Sequence, residues 1–587
     1  MDAKVKDANL DPVTLEVIRS ALPAISNEMA VDLQRTSYNM IIYEVRDFCT
    51  ALVDPSGRLV SQNVGGVSHF IADLGVLVVD GMKRYGREGF KPGDVIITNH
   101  QAVAGQHLNN VVIYMPYFFM GELLMFAIVR AHWIDVGGTS TGFGAGPSVT
   151  DPWLEGLQLD QLKIYSEGER DDTLYRVIRD NIRHPDSSLG DMNSQMAACR
   201  LALRRMDELF NKYGRDTALA SIERIFDETE QKCRNVIAAF PDGSYEAESW
   251  LDDDDIARGE RVRFHARVTV KSGDMVIDLS GCAGERKAGI NSRTYAAAYI
   301  AYKALTAPLD TANEGSFRAL KCIIPEGNIM MARHPAPMSA WSMVLPMVVD
   351  TILKALAEAI PERVPAAHFG LMGNTGLFFG MNPANKRRFV VRCSGGGGWG
   401  GRPTEDGESA SCTVCQGDVR NSSIEEMEMK APILIDSLAM RRDSGGPGQF
   451  RGGLGSTIHV KNLTEGRWNL NRQKRQKCPP WGLRGGAIGE SGLKLMKTPA
   501  DADYADVNVS RHLVPAGTKV VLHAGSGGGW GNPFERDPER VRWDVIEDMV
   551  SIEAARRHYG VALREDYSLD VAETRRLRLA VQGEGSA

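Results

Sequence analysis

The sequence predicts an α+β protein in which helices and antiparallel strands alternate in the first half and glycine-rich extended segments fill much of the second. Three observations carry that expectation. Apolar residues recur at helical spacing in "PVTLEVIRSALPAISNEMAVDLQR" and again across 189–240, in the three- and four-residue steps that turn one helix face toward a core. Short apolar runs bounded by turn chemistry recur elsewhere, as in "FCTALVDPSGRLVSQ", which is the mark of hairpins. Glycine makes up 60 of 587 residues, above the usual ~7%, and it is clustered late in the chain.

The first helix is expected over 12–35, with Asp11 placed to cap it and Pro12 in its first turn. A hairpin follows, because Asp54, Pro55, Ser56 and Gly57 stand between two apolar runs. "GDVIITN" and the long "NNVVIYMPYFFMGELLMFAIVRAHWIDVGG" read as strands, the latter turning at Met120, Gly121 and Glu122. "GDMNSQMAACRLALRRMDELFNKYG" stops at Gly214 and "DTALASIERIFDETEQKCRNVIAAF" resumes, so two helices joined by a short turn complete a mixed region over 1–240. A β-rich central region is expected over 241–392, beginning with alternating strands up to about 285. Its four aspartates at 252–255 lack the ligand spacing and distal glutamate of a calcium loop, and are expected to form a solvated strand end.

Residues 393–536 form a glycine-rich region of β and polyproline-II type, punctuated by "SGGGGWGGRP", "DSGGPGQFRGGLG", "WGLRGG" and "GSGGGWGNP". None of these runs fits a phosphate loop or a dinucleotide fingerprint. Trp399, Phe450, Leu454 and Trp530 interleave with the glycines, which argues against free linkers. Glycine without a Cβ lets extended segments lie close together while the aromatic side chains fill the gaps. A helical segment closes the chain at 537–587.

Composition narrows the function. Lys plus Arg is 68 against 75 for Asp plus Glu, a formal charge of -7 with no long block of either sign, so neither nucleic acid nor an anionic membrane is expected as a partner. The N-terminus has no apolar stretch behind basic residues, and no apolar run reaches membrane-spanning length. With nine scattered cysteines, the expectation is a cytoplasmic protein with reduced thiols. Cys412 and Cys415 in "CTVC" lack the second pair that a tetrahedral zinc site requires.

Four polar features of the first 140 residues are candidates for one site: Asp47 in "EVRDFCTALVD", His69 in "GGVSHF", His107 with Asn110 in "GQHLNN", and His132 with Asp135 in "AHWIDVGG". Singly, each has an ordinary explanation as a surface pair or a satisfied core group. Together they converge, because His107 and Asn110 precede one strand and His132 ends its hairpin partner. Two imidazoles and a carboxylate are the ligand types of zinc or manganese. Asn110 carries no charge to offset desolvation of a cation, so no bound metal is expected; if one binds, Asp47, His107 and His132 are its ligands.

Several longer stretches, "DPVTLEVI", "RDFCTALVDPSGRLVSQ", "GDVIITN…GQHLNN", "HWIDVGG", "NEGSFR", "DSGGPGQFRGGLG" and "GGGWGNPFERDPERV…SIEAARRHYGV", resemble in order the hydantoinase B and oxoprolinase family, which includes one subunit of acetone and acetophenone carboxylases. The resemblance implies two β-sheets in a barrel-like arrangement running into a polyproline-type bundle. It implies a hydantoinase A-type, kinase-like partner that uses ATP and Mg to phosphorylate a carbonyl compound, with no cofactor held firmly by this chain. Metal-using members resemble "NDPY…GGxHxxD" with a later histidine and an "RDF" aspartate. Here His107, His132 and Asp47 match, whereas "NHQA" replaces "NDPY" and Asn110 replaces the second acid. Those departures point to the acetophenone carboxylase branch, in which the subunit joins an enol phosphate to activated bicarbonate and the histidines donate hydrogen bonds or carry protons. ATP-dependent opening of a hydantoin, oxoproline or lactam, and a non-catalytic scaffold, are the alternatives.

Overall fold

The computed structural model describes residues 10–141, 146–370 and 374–584. It is an α+β chain that divides into two compact units, the first comprising Met1–Tyr245, His265–Leu345 and Val414–Arg420, the second Glu246–Phe264, Pro346–Thr413 and Asn421–Ala587.

In the first unit, helix α1 (Pro12–Thr36) begins where Asp11 accepts the Thr14 amide at 2.9 Å. Strands β1 (Phe48–Val53) and β2 (Leu59–Gln62) form the expected hairpin. Helix α2 (Ser68–Tyr85), β3 (Val95–Thr98), β4 (Asn110–Phe119) and β5 (Glu122–His132) follow. The turn between β4 and β5 is made by Met120 and Gly121, both at positive φ. With β6 (Leu162–Ser166) and β7 (Glu169–Arg170) these strands make one sheet in the order β2-β1-β5-β4-β3-β6-β7. Helices α3 (Pro185–Tyr213) and α4 (Arg215–Ile237) meet at Gly214, whose φ of 78° ends the first of them.

Strand alternation divides the sheet into two chemically different faces. Phe48, Val111, Ile113, Val129 and Ala131 join one apolar core with Met29 and Leu33 of α1, Met192 and Met196 of α3, and Phe226 of α4. The intervening residues, among them Cys49, Asn110, Arg130 and His132, take the opposite face, where α2 packs. Strands β8 (Gly243–Leu251) and β9 (Val262–Lys271) each contribute residues to both units. Within the first unit, β10 (Asp274–Asp278) pairs antiparallel with β9 and parallel with β11 (Leu320–Ile323), and α5 (Ala296–Thr306) packs on α2.

The second unit holds two sheets. One has the order β13-β12-β16-β19, built from β12 (Asn374–Met381), β13 (Arg388–Gly395), β16 (Gly466–Leu470) and β19 (Val509–Val514). The other has the order β14-β15-β20-β17-β18, from β14 (Ile433–Met440), β15 (Ser456–Asn462), β17 (Leu493–Lys497), β18 (Ala505–Asp506) and β20 (Lys519–His523). Its helices include α6 (Ile424–Lys430), α7 (Pro538–Ile546), α8 (Ile552–Tyr559) and α9 (Val571–Glu584), besides the helix Leu345–Ala355. The glycine-rich segments run outside these ladders and bond to one another through the backbone: Gly453 N to Trp399 O at 2.8 Å, Gly527 N to Gly453 O at 3.0 Å, Gly446 N to Gly527 O at 2.9 Å. A Cβ on Gly398, Gly453 or Gly527 would collide with a neighbouring main-chain carbonyl, so these segments lie side by side as glycine permits.

Two expectations need correction. No sheet among the described residues closes into a barrel; the large sheet ends in the short strands β2 and β7, which do not pair with each other. The four aspartates are not a solvated strand end: Asp252 accepts the amides of Gln476 at 2.8 Å and Lys477 at 3.0 Å, Asp253 pairs with Lys474 at 3.0 Å, Asp255 also pairs with Lys474, and Asp254 caps its own turn. The lysine and the main-chain donors come from chain about 220 residues away, a distance that no local pattern reveals.

Candidate functional site

The polar cluster forms where three strands end together. Asn110 of β4 stands directly opposite His132 of β5. Phe48 pairs with Ala131 and the His132 amide donates to Asp47 O at 3.1 Å, so Asp47 continues the same row. Asp47, His132 and Asn110 therefore lie side by side across β1, β5 and β4. The chain enters this row through Arg46, at a φ of 62°, an uncommon conformation for a side chain of this size.

His107 reaches the row from the preceding loop, which is fixed at several points. Asn99 Nδ2 donates to Leu108 O at 2.7 Å, Gln101 Nε2 donates to Gln106 O at 2.9 Å, and Gly105 exchanges main-chain bonds with Arg293. The His107 and His132 rings meet edge to face with centroids 4.8 Å apart. His69, the second residue of α2, donates its amide to Cys415 O, and its Nδ1 lies 2.7 Å from the same oxygen. Trp341 packs between them, 4.7 Å from the His69 ring and 6.0 Å from that of His107. Three imidazoles thus share one enclosed space, in which His107, at 8% exposure, is nearer to solvent than His69 or His132.

Further groups complete the site, and apart from Gln106 the local motifs do not mark them. Arg130, two residues before His132 on the same strand face, lies 3.3 Å from Asp73 and 4.9 Å from the centre of the Phe70 ring. Asp73, four residues after His69 on α2, also accepts Thr294 Oγ1 at 2.7 Å and Gln106 Nε2 at 3.1 Å. Gln106 in turn accepts Asn110 Nδ2 at 2.7 Å, so one chain of bonds runs from Asp73 through Gln106 to Asn110. Glu155 accepts the Met338 amide at 2.7 Å and Gln101 Nε2 at 2.8 Å, bracing the loop that carries His107. Period-two and period-four spacing from His132 and His69 could have found Arg130 and Asp73; Glu155 and Trp341 carry no such local signal. Asp135 stands apart from this network: its carboxylate binds Arg183 at 2.8 Å and the Gly137 amide at 3.3 Å, holding the "DVGG" turn.

Burial sets the protonation of the cluster. It lowers His69 to about 3, with Arg130 and His132 adding to the effect. Burial first, then His132 and His69, hold His107 well below the ordinary imidazole value. Asp73 is pushed up to about 6 by burial, against the pull of Arg130, and burial pushes Glu155 up to about 8. Burial thus keeps His69 and His107 neutral and a proton on Glu155, beside the ion pair of Arg130 and Asp73, the kind of concentration of shifted groups that marks functional centres.

Among the described residues no group of three or more His, Cys, Asp or Glu side chains is placed to hold a metal ion. Beside the imidazoles, Asn110 turns its amide nitrogen toward Gln106 and Arg130 is charge-paired with Asp73.

The chain belongs to the hydantoinase B/oxoprolinase family, whose model matches residues 11–533. It is 30% identical to the B subunit of a putative D-/L-hydantoinase of Pseudomonas sp. (strain NS671), over 97% of this chain and 98% of that one. Its structure resembles the ATP-dependent caprolactamase from Pseudomonas jessenii, with a TM-score of 0.90 and 26% identity over 97% of this chain and 100% of the other. It also shares its fold with a nucleotide-free acetone carboxylase, with a TM-score of 0.85 and 16% identity over 99% of this chain and 84% of the other. No described helix is long and apolar enough to cross a membrane.

Proposed function

We propose that this chain is the B-type subunit of an ATP-dependent complex, receiving a carbonyl compound that a kinase-like partner has phosphorylated and converting it at the His107–His132 site without a metal. The observation that carries this reading is the buried imidazole pair, 4.8 Å between ring centres, beside the fixed charge of Arg130. Burial keeps His107 unprotonated across the neutral range, so its ring serves as a weak base toward a bound water, and the Arg130 guanidinium, shared with Asp73, adds positive polarity toward a phosphorylated, anionic substrate.

The reaction we favour is ring opening of a cyclic amide. His107 or His132 takes a proton from water, the water oxygen bonds to the activated carbon, and the tetrahedral adduct collapses with cleavage of the C–N bond, the ring nitrogen leaving with the proton returned by the imidazolium; the acyl phosphate so formed loses inorganic phosphate to a second water and gives the ring-opened acid. Similarity over the full length to a hydantoinase chain and to a caprolactamase supports this choice. The second reading is carboxylation of a ketone, with an enol phosphate joined to activated bicarbonate. It draws on Asn110, which presents an uncharged amide, bonded to Gln106, where metal-using members have an acid.

Reconstitution with the partner separates the two. Ring opening predicts that hydantoin or caprolactam plus ATP yields an opened product carrying ¹⁸O from labelled water. If labelled bicarbonate enters a ketone product and no cyclic amide opens, the second reading replaces the first. If the wild-type complex does neither, both fail.

A further inference from the structure

An open sheet edge lies far along the sequence from this site, on strand β14. That strand is the terminal strand of its sheet, paired on one side only, with β15. Its first half is protected: a bulge follows Ile435, and Glu428 of α6 accepts the Ile435 amide at 2.8 Å. Its second half, "SLAM" at 437–440, has none of the usual defences of an edge, such as lysine, proline or a covering helix. Leu438 and Met440 are 46% and 50% exposed.

The hydrogen-bond phase of the strand shows which groups are open. Arg441 donates its amide to Gly455 O at 2.7 Å, so 441, 439 and 437 turn their main-chain groups toward β15. In an antiparallel ladder the alternate residues, 438 and 440, turn theirs away from it. Among the described residues no strand lies there to receive them.

We infer that two copies of this chain pair through β14, antiparallel about a two-fold axis, with Leu438 of each copy opposite Met440 of the other. This register uses both outward residues on each strand. It also brings the bulge that carries Asp436 in each strand toward the turn that carries Arg442 in the other, since the two positions flank Ala439 at equal distance in sequence. Asp436 has no ion-pair partner among the described residues, and Arg442 has only the exposed Asp548, at 2.6 Å, a pair of the kind that contributes little. The edge is thus complementary to itself in hydrogen bonding, apolar contact and charge, as an isologous interface requires.

The test is the mass of the purified full-length chain by light scattering at micromolar concentration, with three variants. In the proposed register Ala439 faces its own copy as a non-hydrogen-bonded pair, whose Cβ separation suits a disulfide. A dimeric wild type and a reducible covalent dimer from Ala439→Cys under mild oxidation, absent from wild type, support the pairing. So does weakening of the dimer by roughly tenfold or more in Asp436→Arg, reversed when Arg442→Asp is added. A monomeric wild type overturns the inference, as does a dimer that ignores Asp436→Arg and gives no cross-link at position 439.

Discussion

Replacing Asp73 by asparagine tests whether the buried network behind the imidazoles is as tightly coupled as its geometry implies. The asparagine oxygen can keep the bond from Thr294 Oγ1, 2.7 Å in the native structure. Its amide nitrogen then faces Gln106 Nε2 and Arg130 Nη1, which stand 3.1 and 3.3 Å from the native oxygen, so donor meets donor twice. Arg130, 3% exposed, loses its counter-charge. Breaking a buried pair in this way costs about 3–5 kcal/mol, which at about 2–4 °C per kcal/mol lowers the melting temperature by roughly 6–20 °C. The assay is calorimetry of Asp73→Asn, Arg130→Met and the double variant. Removing both partners leaves no orphaned charge, so the double variant is expected to recover at least half of the loss. A shift below about 1 kcal/mol for Asp73→Asn, or a double variant as unstable as the sum of the singles, would refute the coupling.

Two further outcomes follow from groups elsewhere in the fold. Lys494 is 3% exposed and burial lowers it from 10.5 to about 7; the unfolded chain therefore binds the extra proton between those values and stability rises with pH across that window, by at most about 5 kcal/mol. Lys494→Met is expected to flatten that rise in denaturation curves between pH 7 and 10.5, and an unchanged slope counts against it. Gly527→Ala drives a Cβ into the Trp399 carbonyl whereas Gly284→Ala meets only an ordinary contact at 3.6 Å; thermal melting should show several degrees lost in the first and almost none in the second, and equal tolerance would contradict the close packing of the glycine segments.

The strong periodic segments are legible in the sequence. Helix α1 starts at Pro12 and is capped by Asp11 as its sequence dictates, and Gly214 separates α3 from α4. The clustering of His107, Asn110 and His132 is legible as well, because strand ends joined by one hairpin must lie close. What escapes depends on distant chain. Trp341 and Thr294 enter the site from more than 150 residues beyond His132, and the Lys474 partner of the aspartate run is equally remote. Asp135, adjacent in sequence, is drawn to Arg183 instead. Barrel closure cannot be read locally either, since it depends on whether β2 and β7 meet.

The most direct measurement is product formation alongside ATP consumption in the complex reconstituted with its partner, comparing wild type with His132→Asn. His132 is fully buried and opposite Asn110, so asparagine can sit in the row without carrying a proton. The account predicts that ring-opened product falls by about two orders of magnitude or more, the usual contribution of a positioned general base, while the partner still consumes ATP. Product at the wild-type rate both in His132→Asn and in His107→Asn would contradict it and leave this chain a scaffold.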